Sequence, residues 1–456
     1  MRTPNTLLQQ AIREAGCSYA QLAKDIRAVA DESRCRRLRT NSSAVAHWVA
    51  GALPRDAAAD CLTEALARRL GRPLTREQLG LEPPSGASVR DSWDATDPVD
   101  ALITLGTSDI QRRDPEANAR YCVAAAALPL DLRGRLAARR KAGRTYRNAG
   151  AGEIQAVKYV TQMFHGIDDR YGGAHGRSAA VQYLMSDVAT LCRANFQNRM
   201  LHREMLSVAA SLVQLLAWKA HDAGEYGLAQ RYYLQAYRLT KEADNEQHGA
   251  FILYSLAQQN MERGHVTHSL TLADAALCRM RGRADPATNS LYAITRARAL
   301  ALHGRRREAV AEAARAARLA QSSHTVETPH WVAVWGSSGP VVDMHTATTA
   351  MSMSDWPTAE HHFAQASAHW RAKGLRRATA MSAAYTGIMQ CRQGHLEQAS
   401  ETWQTALQAA EGVQSARIME VVAQMRRELE PFRRRGARVA ADFDERACEW
   451  LRTAPI

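Results

Sequence analysis

Ser42, Ser43, Ala44 and His47 fall within one short stretch, TNSSAVAHWVAGALPR, Thr40–Arg55. Their chemistry is recognition rather than bond making. Serine hydroxyls can donate to or accept from either base class, and an alanine methyl can lie against the methyl of thymine. The imidazole of His47 reads equally as a base contact, a phosphate contact or an exposed ring. Just upstream, ESRCRRLRT brings Arg34, Arg36, Arg37 and Arg39 close together. Guanidinium groups beside a groove-binding helix suit phosphate oxygens, with affinity that falls as salt rises and no choice of sequence. A solvated loop is the plainer reading of the same run.

Residues able to catalyse a reaction are present, but not in working arrangements. HGIDDRYGGAHG gathers His165, Asp168, Asp169 and His175 around glycines. The segment straddles a turn instead of offering two ligands on one helical turn, so a helix–helix turn held by hydrogen bonds is preferred to a metal site. YGGAHG lacks the terminal Lys-Ser/Thr of a phosphate loop. His361, His362 and His369 read as one wet helix face, and no Gly-x-Ser-x-Gly motif occurs. No enzymatic activity, cofactor or metal is expected.

The elements that must position the first group are short helices. Asn41 is a good N-cap, and Val45, Trp48 and Val49 share an inward stripe. Trp48 is therefore read as a core anchor and not as a stacking platform. Gly51 and Pro54 end the helix. Before it, a helix from about Asn5 to Ala15 stops at Gly16, and Ser18 caps YAQLAKDIRAVADES with Leu22, Ala23 and Ile26 inward. After it, RDAAADCLTEALARRLG carries Leu62, Leu66 and Leu70, and Thr75 with Glu77 opens a short last helix.

Helix, turn and capped helix closing on W-x-x-G-x-x-P resembles the Cro/C1-type helix-turn-helix, whose second helix enters the major groove. The resemblance makes Asn41–Ala50 the recognition helix. YAQLAKDI, LRTNSSAVAHWVAGALPRDAAADCLTEALARRLGRPLTREQLGL, YCVAAAALPLD, DDRYGGAHGRSAAVQYLMSDVATLC and LLAWKAHDAGEYGLAQRYYLQAYRLT are together similar to a large family of actinomycete (Streptomyces-type) regulators. That family joins such a domain to a tetratricopeptide-type region and includes negative regulators of sporulation and antibiotic production. Its members commonly carry Arg where this chain has His47, so the target site does not carry over.

Over 456 residues the formal net charge is +13, a balance that favours polyanions. Residues 1–81 hold thirteen Lys and Arg against eight Asp and Glu. The eight cysteines stand singly with no C-x-x-C, as small buried residues rather than a disulfide or zinc framework. No apolar run reaches the roughly 18–20 residues of a membrane span. The opening MRTPNTLLQQAIREAG has no signal-peptide core, and a cytoplasmic protein is expected.

Beyond a Pro/Ser/Gly/Asp-rich linker the chain repeats itself. GEYGLAQRYYLQAYRL, GHVTHSLTLADAALCR, GRRREAVAEAARAARL, SDWPTAEHHFAQASAH and GHLEQASETWQTALQA start at Gly224, Gly264, Gly304, Ser354 and Gly394. The steps are 40, 40, 50 and 40, the longer one carrying WGSSGPVVD. Each copy has a small residue five after its start (Ala229, Ser269, Ala309, Ala359, Ala399) and an alanine seven later. Small residues at these positions let paired helices approach, which is the logic of tetratricopeptide repeats, here with a period above the usual ~34.

The expected fold is all-α: a helix-turn-helix domain (1–81), a linker (82–98), divergent helix pairs (99–221), a tetratricopeptide-like α-solenoid (222–435) and a C-terminal helical tail (436–456). The expected function is a DNA-binding transcriptional regulator, by resemblance a repressor of development or secondary metabolism. Double-stranded DNA is the partner, a homodimer matches a two-fold site, and the concave face of the stack offers room for a peptide or small-molecule effector. The rival reading is a protein-interaction scaffold whose N-terminal domain docks protein.

Overall fold

The computed structural model describes residues 3–32, 38–72, 74–81, 97–111, 121–123, 125, 147–266, 268–280, 282–322, 328–333, 335 and 338–454. Within them the chain is all-α, apart from a two-residue parallel pairing of Asn148–Ala149 with Asn195–Phe196.

Four helices build the N-terminal unit: α1 (Thr6–Glu14), α2 (Tyr19–Glu32), α3 (Ser42–Val49) and α4 (Asp56–Leu70). Leu8, Leu22, Ile26, Val45, Leu62 and Leu66 are fully buried in one core that also holds Trp48. Polar side chains set the helix starts. Asn5 Oδ1 accepts from Leu8 N and Asn41 Oδ1 from Ala44 N, both at 2.9 Å. Ser18 and Gln21 form a reciprocal capping box at 2.9 and 3.2 Å. Asn5 also donates to the carbonyls of Leu79 and Gly80, at 2.8 and 3.1 Å. The helix expected from Thr75 is only a turn. Thr75 exchanges bonds with Gln78, which stands at the third helical position where Glu77 does not. Gly80 then turns left-handed (φ +63°), returning the buried Leu79 and Leu81 to the core.

The expected linker lies outside the described residues up to 96. Asp97 caps α5 (Pro98–Ile110), with Pro98 in its first turn. The long α6 (Ala151–Tyr171) follows. Next, α7 (Arg177–Tyr183) passes through a π-helical turn (Leu184–Val188) into α8 (Ala189–Cys192). These do not form the regular pairs expected for 99–221.

Regular pairing begins with α9 (Arg199–Asp222) against α10 (Tyr226–Glu242), then α11 (Glu246–Glu262) with α12 (Ser269–Met280), and α13 (Pro286–Leu302) with α14 (Arg306–Gln321). After the short α15 (His330–Ala333), α16 (Ser338–Ser352) pairs with α17 (Trp356–Ala372) and α18 (Arg376–Arg392) with α19 (Leu396–Ala410). The five repeat starts all occupy the turn between the two helices of a pair, at φ from +61° (Ser354) to +87° (Gly394). The small residues five positions on are fully buried in every copy, so the close approach read from the repeat is the one the helices make.

The C-terminal segment is not a tail. α20 (Ala416–Arg434) and α21 (Arg438–Thr453) form a sixth pair about Gly436 (φ +80°), with Ala440, Phe443 and Ala447 buried. Its small residue comes four after the turn, one earlier than in the other copies, which hid it from the repeat register. The described helices thus form an α-solenoid of tetratricopeptide-like pairs.

Packing in the fifth pair depends on a missing side chain. Trp403 is fully buried, donates Nε1–H to the Ala384 carbonyl at 3.0 Å, and lies so close to Gly387 that an added Cβ would sit 2.5 Å from its ring. Gly387→Ala should therefore cost about 1–3 kcal/mol by overpacking, read as a lower urea midpoint with an unaltered slope. An unchanged midpoint would show that the ring does not rest on this glycine.

Candidate functional site

Two places concentrate functional chemistry, and the first is α3. Ser42, Ser43, Ala46, His47 and Ala50 are exposed, at the spacing of one helical face. Ala44 is not on it: the residue is half-buried against the domain core, and Ala46 takes its place on the open face. The inward stripe Val45, Trp48 and Val49 is as expected. Arg39 is exposed just before the helix, while Arg34, Arg36 and Arg37 lie outside the described residues.

Charge within this domain is segregated. Arg68 pairs with Glu64 and Glu32, Arg69 with Asp25, Arg72 with Glu14, and Arg76 with Asp56 and Asp60. The acids are thus spent largely on arginines in and just after α4. Arg13, Lys24, Arg39 and Arg55 are exposed and have no ion pair among the described residues. Further along, two clusters, GRRREAV from Gly304 and PFRRRGAR from Pro431, hold arginines of which some pair with acids. Arg305 meets Glu308, and Arg433 meets Glu430 and Asp444.

The second place is where the solenoid closes on itself. The glycine-rich segment after α6 docks on the loop after α19. Gln414 N donates to Tyr171 O at 2.7 Å, and Ala174 N donates to Gln414 O at 3.3 Å. Gly172 (φ +89°) passes so near that a Cβ would lie 2.3 Å from the Gln414 carbonyl oxygen. Gly173 N donates to Asp222 at 2.8 Å, and Ser415 Oγ donates to the same carboxylate at 2.9 Å. Arg377 on α18 reaches both Asp168 and Asp169 at 3.1 Å. Asp168, fully buried, also accepts from Trp218 Nε1 at 3.0 Å. Arg377 and Arg417 each lie 5.0 Å from the Trp218 ring. The aspartates and glycines singled out in HGIDDRYGGAHG are therefore the closing joint.

Beside the joint lies a chamber of about 540 Å³, partly open to solvent and within the usual range of small-molecule sites. Side chains of α6, α9, α10, α11, α13, α15, α16, α17, α18 and α20 meet there. On its wall Glu262 takes Arg417 at 3.0 Å and His221 at 2.7 Å. Burial alone would raise the Glu262 carboxyl, but Arg417, His221 and Arg298 outweigh it and hold the group well below the usual carboxylate range. Apart from His165 and Asp169, sequence reasoning missed the chamber's charged residues, since the lining is spread over ten helices and shares no local motif.

One wall residue also faces the N-terminal domain. Tyr226 lines the chamber and packs with Tyr121 and Val123 in a small buried cluster. That 121–123 segment is strapped to both parts of the chain. Cys122 exchanges two bonds with Gln230, while Val123 N donates to Glu64 at 2.9 Å and Arg68 donates to Tyr121 O at 3.4 Å.

Residues 8–82 match the SP15 N-terminal domain family. No curated protein matches the chain significantly. Among solved structures it is similar to a Signal Transduction ATPase with Numerous Domains (STAND) protein with a tetratricopeptide repeat sensor, from Pyrococcus horikoshii. That match has 12% identity and a TM-score of 0.37, over 86% of this chain and 69% of the other. No described helix is long and apolar enough to cross a membrane.

His345 on the chamber wall is held neutral. Burial, with Arg298 and Arg417 nearby, pushes its pKa down to about 3 from 6.5, Glu262 only partly opposing. Between those values the unfolded chain binds the proton that the folded chain refuses, so stability falls as pH drops below about 6.5. His330, pushed down to about 4, acts in the same direction. His345→Gln should lose less stability than the natural chain between pH 6.5 and 4 in chemical denaturation. Parallel losses in the two proteins would rule out a buried neutral imidazole there.

Proposed function

We propose that this chain is a sequence-specific DNA-binding transcriptional regulator whose helical stack senses an effector. The observation that carries the reading is the open face of α3. A helix capped by Asn41 presents Ser42, Ser43, Ala46 and His47 outward, beside an exposed Arg39 and in a domain whose acids are committed mainly to α4. Small polar side chains at a helix start can enter a major groove, and unneutralised cations around it can hold phosphates. Arg34, Arg36 and Arg37 belong to this phosphate-gripping set by their place in the sequence.

The resemblance to actinomycete negative regulators makes repression of development or secondary metabolism the preferred sign. A homodimer would present two α3 helices to an inverted repeat. The strap through Tyr121–Val123 gives the stack a route to the reading head. A change at Tyr226 on the chamber wall is one packing contact from the segment that Glu64 and Arg68 hold.

The test is selection of sheared genomic DNA by the full chain at near-physiological salt, followed by sequencing. Fragments sharing an inverted repeat are expected. On the selected site, Arg39→Ala should lower the slope of log affinity against log salt by about 1, with sequence preference kept. His47→Ala or Ser43→Ala should relax preference at individual base pairs. No enrichment over bulk DNA, or no change in slope on replacing Arg36, Arg37 and Arg39 together by Ala, would overturn the DNA reading in favour of the protein scaffold.

A further inference from the structure

The chamber wall carries a cation that the fold only half neutralises. Arg298, on α13, is nine-tenths buried. Its Nη1 donates to the side-chain oxygen of Gln258 at 3.0 Å, and its carboxylate neighbour, Glu262, stands 4.0 Å away. That carboxylate is already engaged by Arg417 and His221 at shorter range. Arg298 Nε has no hydrogen-bond partner among the described residues. Burial lowers the pKa of this guanidinium in spite of Glu262, whereas Arg377 and Arg417, with carboxylates at hand, are shifted the other way. A charge removed from water without a matched counter-charge is costly, and an anion arriving at Arg298 would relieve that cost.

The surroundings define the rest of such a molecule. Tyr254 and Tyr385 stand near enough to Arg298 to act on it electrostatically, and Phe251, Trp335 and Met381 continue the wall. Ser382 Oγ and His345 Nδ1, both on buried wall residues, have no hydrogen-bond partner among the described residues. Among charged wall residues Arg263, Arg298, Lys373, Arg377 and Arg417 outnumber Asp169, Glu262 and Glu420. The chamber therefore offers flat apolar surface, a few polar atoms and, at Arg298, a cation whose nearest carboxylate is shared with Arg417 and His221.

We propose that the chamber binds one small organic anion, a flat aromatic or hydrocarbon body bearing a carboxylate, with the carboxylate paired to Arg298. At about 540 Å³ the space suits a single compact molecule. An extended peptide reads better on an open groove or sheet edge. The assignment deepens the effector reading above and rests on it only for its consequence; occupancy is read without DNA, so failure of either leaves the other standing.

The experiment uses 8-anilinonaphthalene-1-sulfonate, a fluorescent aromatic anion, titrated into the full chain and displaced by 2-naphthoate or by its uncharged relative 2-naphthylmethanol. Saturable binding at one site per chain is expected, with naphthoate displacing about tenfold or more better than the alcohol, the margin of one charge-assisted hydrogen bond. Arg298→Gln should weaken naphthoate about tenfold or more and leave the alcohol nearly unchanged. Equal displacement by acid and alcohol, unsaturable probe binding, or a folded Arg298→Gln chain that keeps full preference for the acid would each overturn the proposal. Should Arg298→Gln fail to fold, the acid–alcohol comparison on the natural chain decides alone.

Discussion

The molecule depends on one buried contact between distant parts of the chain, Arg377 held between Asp168, Asp169 and Asp222. Arg377 and Asp168 are 209 positions apart, and the contact joins the entrance of the solenoid to its fifth pair. Isolated, any of these charges would be expensive to bury. Here Trp218 Nε1–H, Ser415 and the Gly173 amide share the carboxylates, so carboxylates that lose water find other donors. Two glycines are required because the backbone itself is part of the contact, with Gly172 against the Gln414 carbonyl and Gly173 against Lys219 and Asp222.

Closure changes what a helical stack can do. Repeats of this type ordinarily touch only their neighbours and leave a concave wall open along its length. Bringing α6 onto α18 gives the wall a facing side and makes a recess of it, where a buried charge such as Arg298 matters more than at an open surface. Arg298 and Glu262 belong to that space and to no repeat pattern. The joint and the chamber also share residues: Arg377, Arg417 and Trp218 serve both. Tyr226, also on the chamber wall, packs against the Tyr121–Val123 segment that Glu64 and Arg68 hold.

That domain shows the complementary principle, in which charge is sorted by position. Its arginines in and just after α4 pair with acids, some one helical turn away and others on α1 and α2. Arg39 and Arg55, which flank α3, are exposed and have no ion pair among the described residues.

Much of this could be read along the chain. Five turn residues and five small residues at fixed offsets marked the helix pairs, because left-handed turns and close helix axes are demands made by each pair separately. Asn5, Ser18 and Asn41 marked helix starts, since a cap is satisfied within three residues. The inward side of α3 followed from periodicity, although Ala44, expected outward, is half-buried because a short helix packs on two neighbours rather than one. The sixth pair escaped when its small residue moved by one position, and the short helix after Thr75 failed because Gly80 turns the chain back to the core too soon. Local chemistry thus determined the elements, their order and the inward stripe of α3. Tertiary structure alone decided the closing joint, the chamber and the exposed need of Arg298 for an anion. Those depend on where a superhelix ends after many small rotations, and no pair of neighbouring residues encodes that sum.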